Sequence, residues 1–398
     1  MSLSIKPRIS APKLLQRTQP TPPRPQPMFD RSRFETRPAP PVRVTPSEAI
    51  ERARQLLEGT PVEERRDDGS IVISNPPYVN AEESQKRKLT AQQQLQTNAT
   101  LESAALARLS PADRQKYLET KEVLLQAPNA DPVAALALQM MLLEGRLPGA
   151  AALGNCDTVL DGLHDLATQE LGEGIDRQQL LSDVVQEIAV PESIAQRTFG
   201  TCAPTATEIQ LAKDHPAEYV RLIAGLASPE GEVTTLGGDV LRVEEGALGG
   251  DRVRSVSQQL LAPALMELGN GDLDYSNEED GNYDENGERR GSGLSARGVD
   301  TLLESLYGRD HAYLSTGTDE EKAAGVDFIE SELEAGRDVL IGIDWGTGGH
   351  KLLVTGVEER DGERYFRVIN PWGQVELIPV SEVEDRLRNV NYDPNAVS

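Results

Sequence analysis

The sequence predicts a mixed α+β protein whose helices come first and whose strands come last, behind a disordered, proline-rich head. Three observations carry this. Residues 1–45 hold ten of the 26 prolines, with nine Lys or Arg against two acids. Between 110 and 188, apolar residues recur at helical spacing. Beyond 338, short apolar runs are broken by the turns GTGG, RDGE and NPWG, the pattern of an antiparallel meander.

The head (1–45) is locally +7 in a chain of net charge −25. With so few apolar residues it cannot offset the entropy lost on ordering, so it is expected to stay disordered. Its segment PTPPRPQP (20–27) suits a polyproline helix that a secretion or adaptor partner could bind; a solvated linker is the default alternative. A mostly helical region is expected over 46–149. PSEAIERARQLLEG reads as one helix closed by Gly59, followed by polar, Gln-rich sequence to about 97. Helices are then expected at 110–126, 131–147, 156–171 and 176–188, the first two opened by the cap pairs Ser110-Pro111 and Asp131-Pro132. Met140 and Met141 are expected in the core. The segment 272–288 carries eight acids in 17 residues, but Asn277 and Tyr283 stand where a calcium loop needs glycine and glutamate. A solvated acidic loop is expected there. Strands are expected at 338–345, 350–359, 364–370 and 374–380.

Composition narrows the function. A strongly acidic surface repels phosphate backbones and anionic lipid, so no nucleic-acid or membrane partner is expected. No apolar run is long enough to cross a bilayer. Two cysteines cannot build a disulfide framework, which points to folding in a reducing compartment. The start, MSLSIKPRISAPKLLQ, lacks the apolar core of an export signal. Cytoplasmic synthesis is therefore expected, followed either by delivery through a specialised, non-Sec bacterial secretion system or by a resident housekeeping role.

One of those cysteines, Cys202, follows a Phe-Gly-Thr turn at the head of a helix-forming run. Unpaired N–H groups at a helix N-terminus favour thiolate over thiol, so a lowered pKa and a nucleophilic role are expected. The bland alternative is a small buried hydrophobe. A nucleophile needs a base, and four histidines are available. His164, His215 and His311 sit in helical or turn contexts that suit structural or exposed side chains. His350 is delivered by a glycine-rich turn to the start of an apolar strand. Asn370 lies at the end of the next strand, where antiparallel pairing can bring the two together.

Gln196-x5-Cys202, with Gly200-Thr201 before the cysteine, then Gly349-His350, then Asn370-Pro371-Trp372-Gly373, resemble the signature of papain-like cysteine peptidases, the calpain branch included. The resemblance covers about 190–385. It implies a papain-like domain at 150–390, with a helical subdomain beside a twisted antiparallel sheet, and with 272–288 as an insert. It further implies Cys202 as nucleophile, His350 as base and Asn370 as its orienter. Gln196 is implied as an oxyanion donor and Trp372 as a shield over the His–Asn bond. No cofactor or metal is implied. Ala203 and Pro204 depart from the large aromatic usual after the cysteine.

The expected activity is hydrolysis of a peptide or isopeptide bond in a protein or peptide substrate through a thioester. The same residues could deamidate or transfer an acyl group. The non-enzymatic alternative is a helical interaction scaffold with a degenerate papain-like half.

Overall fold

Thr45 starts the first helix with a capping box: its hydroxyl accepts from the Glu48 N–H, and the Glu48 carboxylate accepts from the Thr45 N–H at 2.8 Å. That helix, α1 (Pro46–Glu58), stops at Gly59, whose φ of 83° is readily adopted by glycine alone. The computed structural model describes residues 44–59, 61–74, 81–248, 253–346 and 348–395; the expectations for residues 1–43 of the proline-rich head lie outside them, while Thr45 at its end caps α1 instead of staying disordered.

A hairpin of β1 (Glu64–Arg65) and β2 (Ile71–Ser74) follows. Next come α2 (Ala81–Thr97), α3 (Ala99–Leu106), α4 (Pro111–Leu125), α5 (Pro132–Leu143), α6 (Val159–Thr168) and α7 (Arg177–Ala189). The last four lie where helical spacing predicts them. Ser110 and Asp131 cap α4 and α5 through their side chains. Residues Pro132 to Leu142 of α5 are all buried, so this helix runs through the middle of the helical layer, with Met140 and Met141 in the core.

Helices α8 (Cys202–Asp214) and α9 (Pro216–Leu226) precede a hairpin, β3 (Glu232–Thr234) and β4 (Val240–Arg242), and then α10 (Val256–Asn270). The segment 272–288 departs from expectation. It folds, with its C-terminal neighbours, into the three-stranded sheet β5 (Asp274–Ser276), β6 (Gly281–Tyr283) and β7 (Arg289–Gly291). Tyr275 is fully buried, and Asn277 and Asn282 nearly so, whereas Asp272, Asp274, Glu278, Glu279, Glu285 and Glu288 stay exposed. Buried Tyr and Asn side chains anchor what the charge count alone would leave in solvent.

After α11 (Ala296–Tyr307), β8 (Ala312–Ser315) and α12 (Asp319–Glu334) comes the meander β9 (Val339–Asp344), β10 (Gly349–Arg360), β11 (Glu363–Asn370) and β12 (Gln374–Pro379). All four strands fall where they are expected. A short α13 (Val380–Arg386) leads to β13 (Leu387–Tyr392). The main sheet has eight strands in the order β1-β2-β12-β11-β10-β9-β13-β8, with antiparallel pairing throughout. Side chains alternate across it. Leu340, Leu353 and Ile369 join the core under the helical layer, while Ile341, Leu352, Val354, Phe366 and Val368 pack with Val326 and Ile329 of α12. Residues before and after 150 share this architecture: Ala53 and Ala91 belong to the same core as Ala206 and Ile223, and β2 pairs with β12. Among the described residues no helix is long and apolar enough to cross a membrane.

Candidate active site

Cys202 is the first residue of α8, and the segment that leads to it is fastened at both ends. The Gln196 N–H donates to the Pro371 carbonyl at 2.8 Å, tying the approach to the turn after β11. Gly373 allows that approach, because a Cβ there would stand 3.1 Å from the Cβ of Ala195. Further on, the Gly200 N–H donates to both carboxylate oxygens of Asp280, at 2.8 and 3.0 Å. The Tyr275 hydroxyl holds that carboxylate from behind at 3.0 Å. The supposed solvated loop thus grips the chain two residues before the thiol.

The side chain of Gln196 is buried, and its Nε2 donates to the Phe199 carbonyl. An amide nitrogen carries two N–H groups, so one remains for another acceptor. Its Oε1, and the hydroxyl oxygen of Thr201, are buried without a hydrogen-bond partner among the described residues.

On the sheet side, β10 begins with Gly349-His350 and β11 ends with Asn370. His350 is 6% exposed, and its Nε2 lies 2.9 Å from the Asn370 Oδ1. A carbonyl oxygen only accepts, so Nε2 carries the proton and Nδ1 is left as the basic nitrogen. The same Oδ1 accepts from the Trp372 N–H at 3.1 Å, while the Asn370 Nδ2 donates to the Glu376 Oε1 at 2.9 Å. Trp372 and Trp345 flank the imidazole, with ring centroids at 4.6 and 5.2 Å. Cys202 and His350 line one cavity of about 310 Å³ together with Ser292, Gly293, Lys351 and Asn389.

Burial sets the electrostatics. It pushes the Cys202 thiol above its usual value, although the Lys351 N–H, the Lys351 charge and the N–H groups of Ala203 and Cys202 itself all pull it down. The expected lowering by the helix terminus is thus real but outweighed by desolvation. Burial also lowers His350 below its usual 6.5, against the Asn370 hydrogen bond. Both shifts favour a neutral thiol beside a neutral imidazole. Lys351, the residue after His350, is pushed down to about 7 by burial, opposed by Cys202 and Asp300. Its Nζ donates to the Asn389 Oδ1 at 2.8 Å and to the Asn391 Oδ1.

Sequence reasoning singles out Cys202, His350, Asn370 and Gln196 but misses Lys351, Asp280 and Glu376. A lysine inside the apolar run HKLLV was the available signal for the first. A glutamate inside the apolar strand run QVELIPV was the matching signal for Glu376, whereas Asp280 had none, since the Gly200 N–H it holds lies 80 residues away. Cys156 is exposed and unpaired, away from this cavity. Among the described residues no group of three or more His, Cys, Asp or Glu side chains is arranged to hold a metal ion. Compared with family models, curated proteins and solved structures, the chain gives no match.

Proposed function

We propose that the chain is a papain-like cysteine hydrolase that cleaves peptide or isopeptide bonds. The observation that carries the reading is the His350–Asn370 hydrogen bond at 2.9 Å, which leaves Nδ1 as the free base in a cavity shared with Cys202. In the first step Sγ attacks the scissile carbonyl carbon while Nδ1 takes the thiol proton. The developing oxyanion would meet the Cys202 N–H at the start of α8 and the second Nε2–H of Gln196. When the C–N bond breaks, Nδ1 returns the proton to the leaving amine and the acyl group remains as a thioester. Water then attacks the thioester, Nδ1 takes its proton, and the carboxylate product leaves as the thiol is restored.

A lowered imidazole pKa keeps Nδ1 unprotonated near neutrality, as a base must be. The raised thiol pKa means that proton transfer accompanies attack instead of preceding it. Trp372 and Trp345 exclude water from one side of the His350 ring. The test is to incubate the purified chain with a peptide library beside a Cys202→Ala control, quench in acid, and search Cys202 for an acyl adduct. Cleavage by the native chain alone, with the adduct on Cys202, is the expected result. Equal cleavage by the variant would sink the proposal.

A further inference from the structure

Beyond Asn370 the hydrogen bonds continue, and they end on a residue 310 positions away in the chain. Glu376 is fully buried on β12. Its Oε1 accepts from the Asn370 Nδ2 at 2.9 Å. Arg66 approaches it from the β1–β2 hairpin, with Nη1 2.8 Å from Oε2 and Nη2 3.2 Å from Oε1. The Arg66 Nη2 also donates to the Gln374 Oε1 at 2.9 Å. The hairpin is fixed where it delivers this guanidinium: Val72 lies opposite Glu376 and Ile71 opposite Leu377, both hairpin residues being buried. Asp68 closes the tight turn by accepting from the Ser70 N–H at 3.0 Å, and the Arg66 N–H donates to the Ser70 carbonyl at 2.8 Å.

The order of donors and acceptors along this line has a consequence for His350. An asparagine amide can present either end to its neighbours, and nothing in Asn370 itself decides which. A carboxylate is an acceptor only, so Glu376 demands the NH2 end of Asn370. The carbonyl end is then turned to His350, which must answer with Nε2–H. That choice leaves Nδ1 bare. A fully buried carboxylate needs a partner, and Arg66 supplies a two-point one.

We propose that Glu376 and Arg66 are positioning residues that set the His350 tautomer through Asn370, and that the hairpin at 64–74 thereby completes the active site. This rests on the cysteine-hydrolase reading for its functional meaning. The site is therefore assembled from segments some 300 residues apart, and a chain cut or displaced between the hairpin and α8 would lose the base's orientation while keeping every residue of the Cys202, His350 and Asn370 set.

The test combines two readouts on the full chain: nitrogen NMR of the His350 ring, which reports the tautomer without any substrate, and the iodoacetamide reaction rate at Cys202, with Cys156 as the internal reference. Glu376→Gln keeps the shape but offers an NH2 group to Asn370 while its oxygen faces Arg66. Asn370 then loses the acceptor for its NH2 end, and only the Trp372 N–H still holds its Oδ1 toward His350. The Nε2–H preference should weaken and Cys202 alkylation should slow by about tenfold, the lower end of what loss of an orienting partner costs a metal-bound histidine. The pair Arg66→Met with Glu376→Met leaves no unpaired charge, so it keeps the fold while losing the tautomer preference. Arg66→Lys, with one contact point instead of two, should fall between native and the double variant. If the folded double variant retains both the Nε2–H form and the native alkylation rate, the positioning role is overturned. If the double variant loses the Nε2–H form but native Cys202 reacts no faster than Cys156, the positioning stands and the hydrolase reading fails.

Discussion

On the sheet side of the cavity, the polar side chains are paired from end to end: His350 to Asn370, Asn370 to Glu376, Glu376 to Arg66. On the helix side, Gln196 Oε1 and Thr201 Oγ1 are buried beside the Cys202 turn with no partner among the described residues, and Arg197 holds a φ of 58°. Buried polar groups are nearly always satisfied in folded proteins, and exceptions concentrate where strain or a ligand is involved. The difference separates two tasks. On the proposed hydrolase reading, the sheet side fixes the base before any substrate arrives. The helix side keeps hydrogen-bonding capacity and backbone strain in reserve, next to the atom that would react.

Substitutions on the two sides should therefore fail differently. On the proposed hydrolase reading, His350→Ala removes the base and should abolish turnover as completely as Cys202→Ala, with the double variant no worse than either, as expected of two residues acting as a unit. Steady-state rates of the three variants check this, and additive losses would break the pairing.

Gln196→Ala comes next in size. Loss of one oxyanion donor raises the barrier by about 2–4 kcal/mol, and the loss should fall on kcat with KM little changed. An effect confined to KM would mean that Gln196 only shapes the approach to Cys202.

Smaller is the effect of the Asp280 grip. Asp280→Ala leaves the Gly200 N–H without its acceptor and should lower the unfolding free energy by about 1–2 kcal/mol in a denaturant titration, with a parallel fall in kcat. Unchanged stability and rate would make the β5–β7 sheet an ornament on the helix side.

pH dependence sharpens the contrast further. His350 is lowered from 6.5 and Cys202 raised from 9.0, so kcat/KM should be level between those values, with its acid limb below 6.5 and its alkaline limb above 9. A limb inside that window would contradict the neutral pair.

Away from the site, Asp183 on α7 is raised to about 8 by burial and by Glu187. A carboxyl with a raised native pKa keeps its proton in the folded state while the unfolded chain releases it. Stability is then greatest below the usual 3.8 and declines as pH climbs toward 8. Asp183→Asn should flatten the melting temperature across that window.

Much of this was legible in the sequence because the signals are local. The strands of the meander announce themselves by apolar runs between glycine turns, and α4 and α5 by their Ser110 and Asp131 caps. The His350–Asn370 pairing follows from one hairpin. What escaped is either short or long-range. Ile71–Ser74 is only four residues, and its burial depends on β12, far along the chain. In 272–288 the charge count masks the turn pairs Asp280-Gly281 and Asn286-Gly287, and the burial of Tyr275 depends on α10 packed beside it. The thiol's raised pKa escaped because helix-end electrostatics can be read from position, whereas desolvation depends on everything packed around the sulfur.

The most direct measurement follows iodoacetamide labelling of Cys202 and Cys156 in the native chain and in His350→Ala across pH 5–10. Cys202 should react faster than Cys156 near neutrality, the advantage should fade below the His350 pKa, and it should vanish in His350→Ala. Equal rates at Cys202 with and without His350, over the whole range, would contradict the claim that the two form a reacting pair.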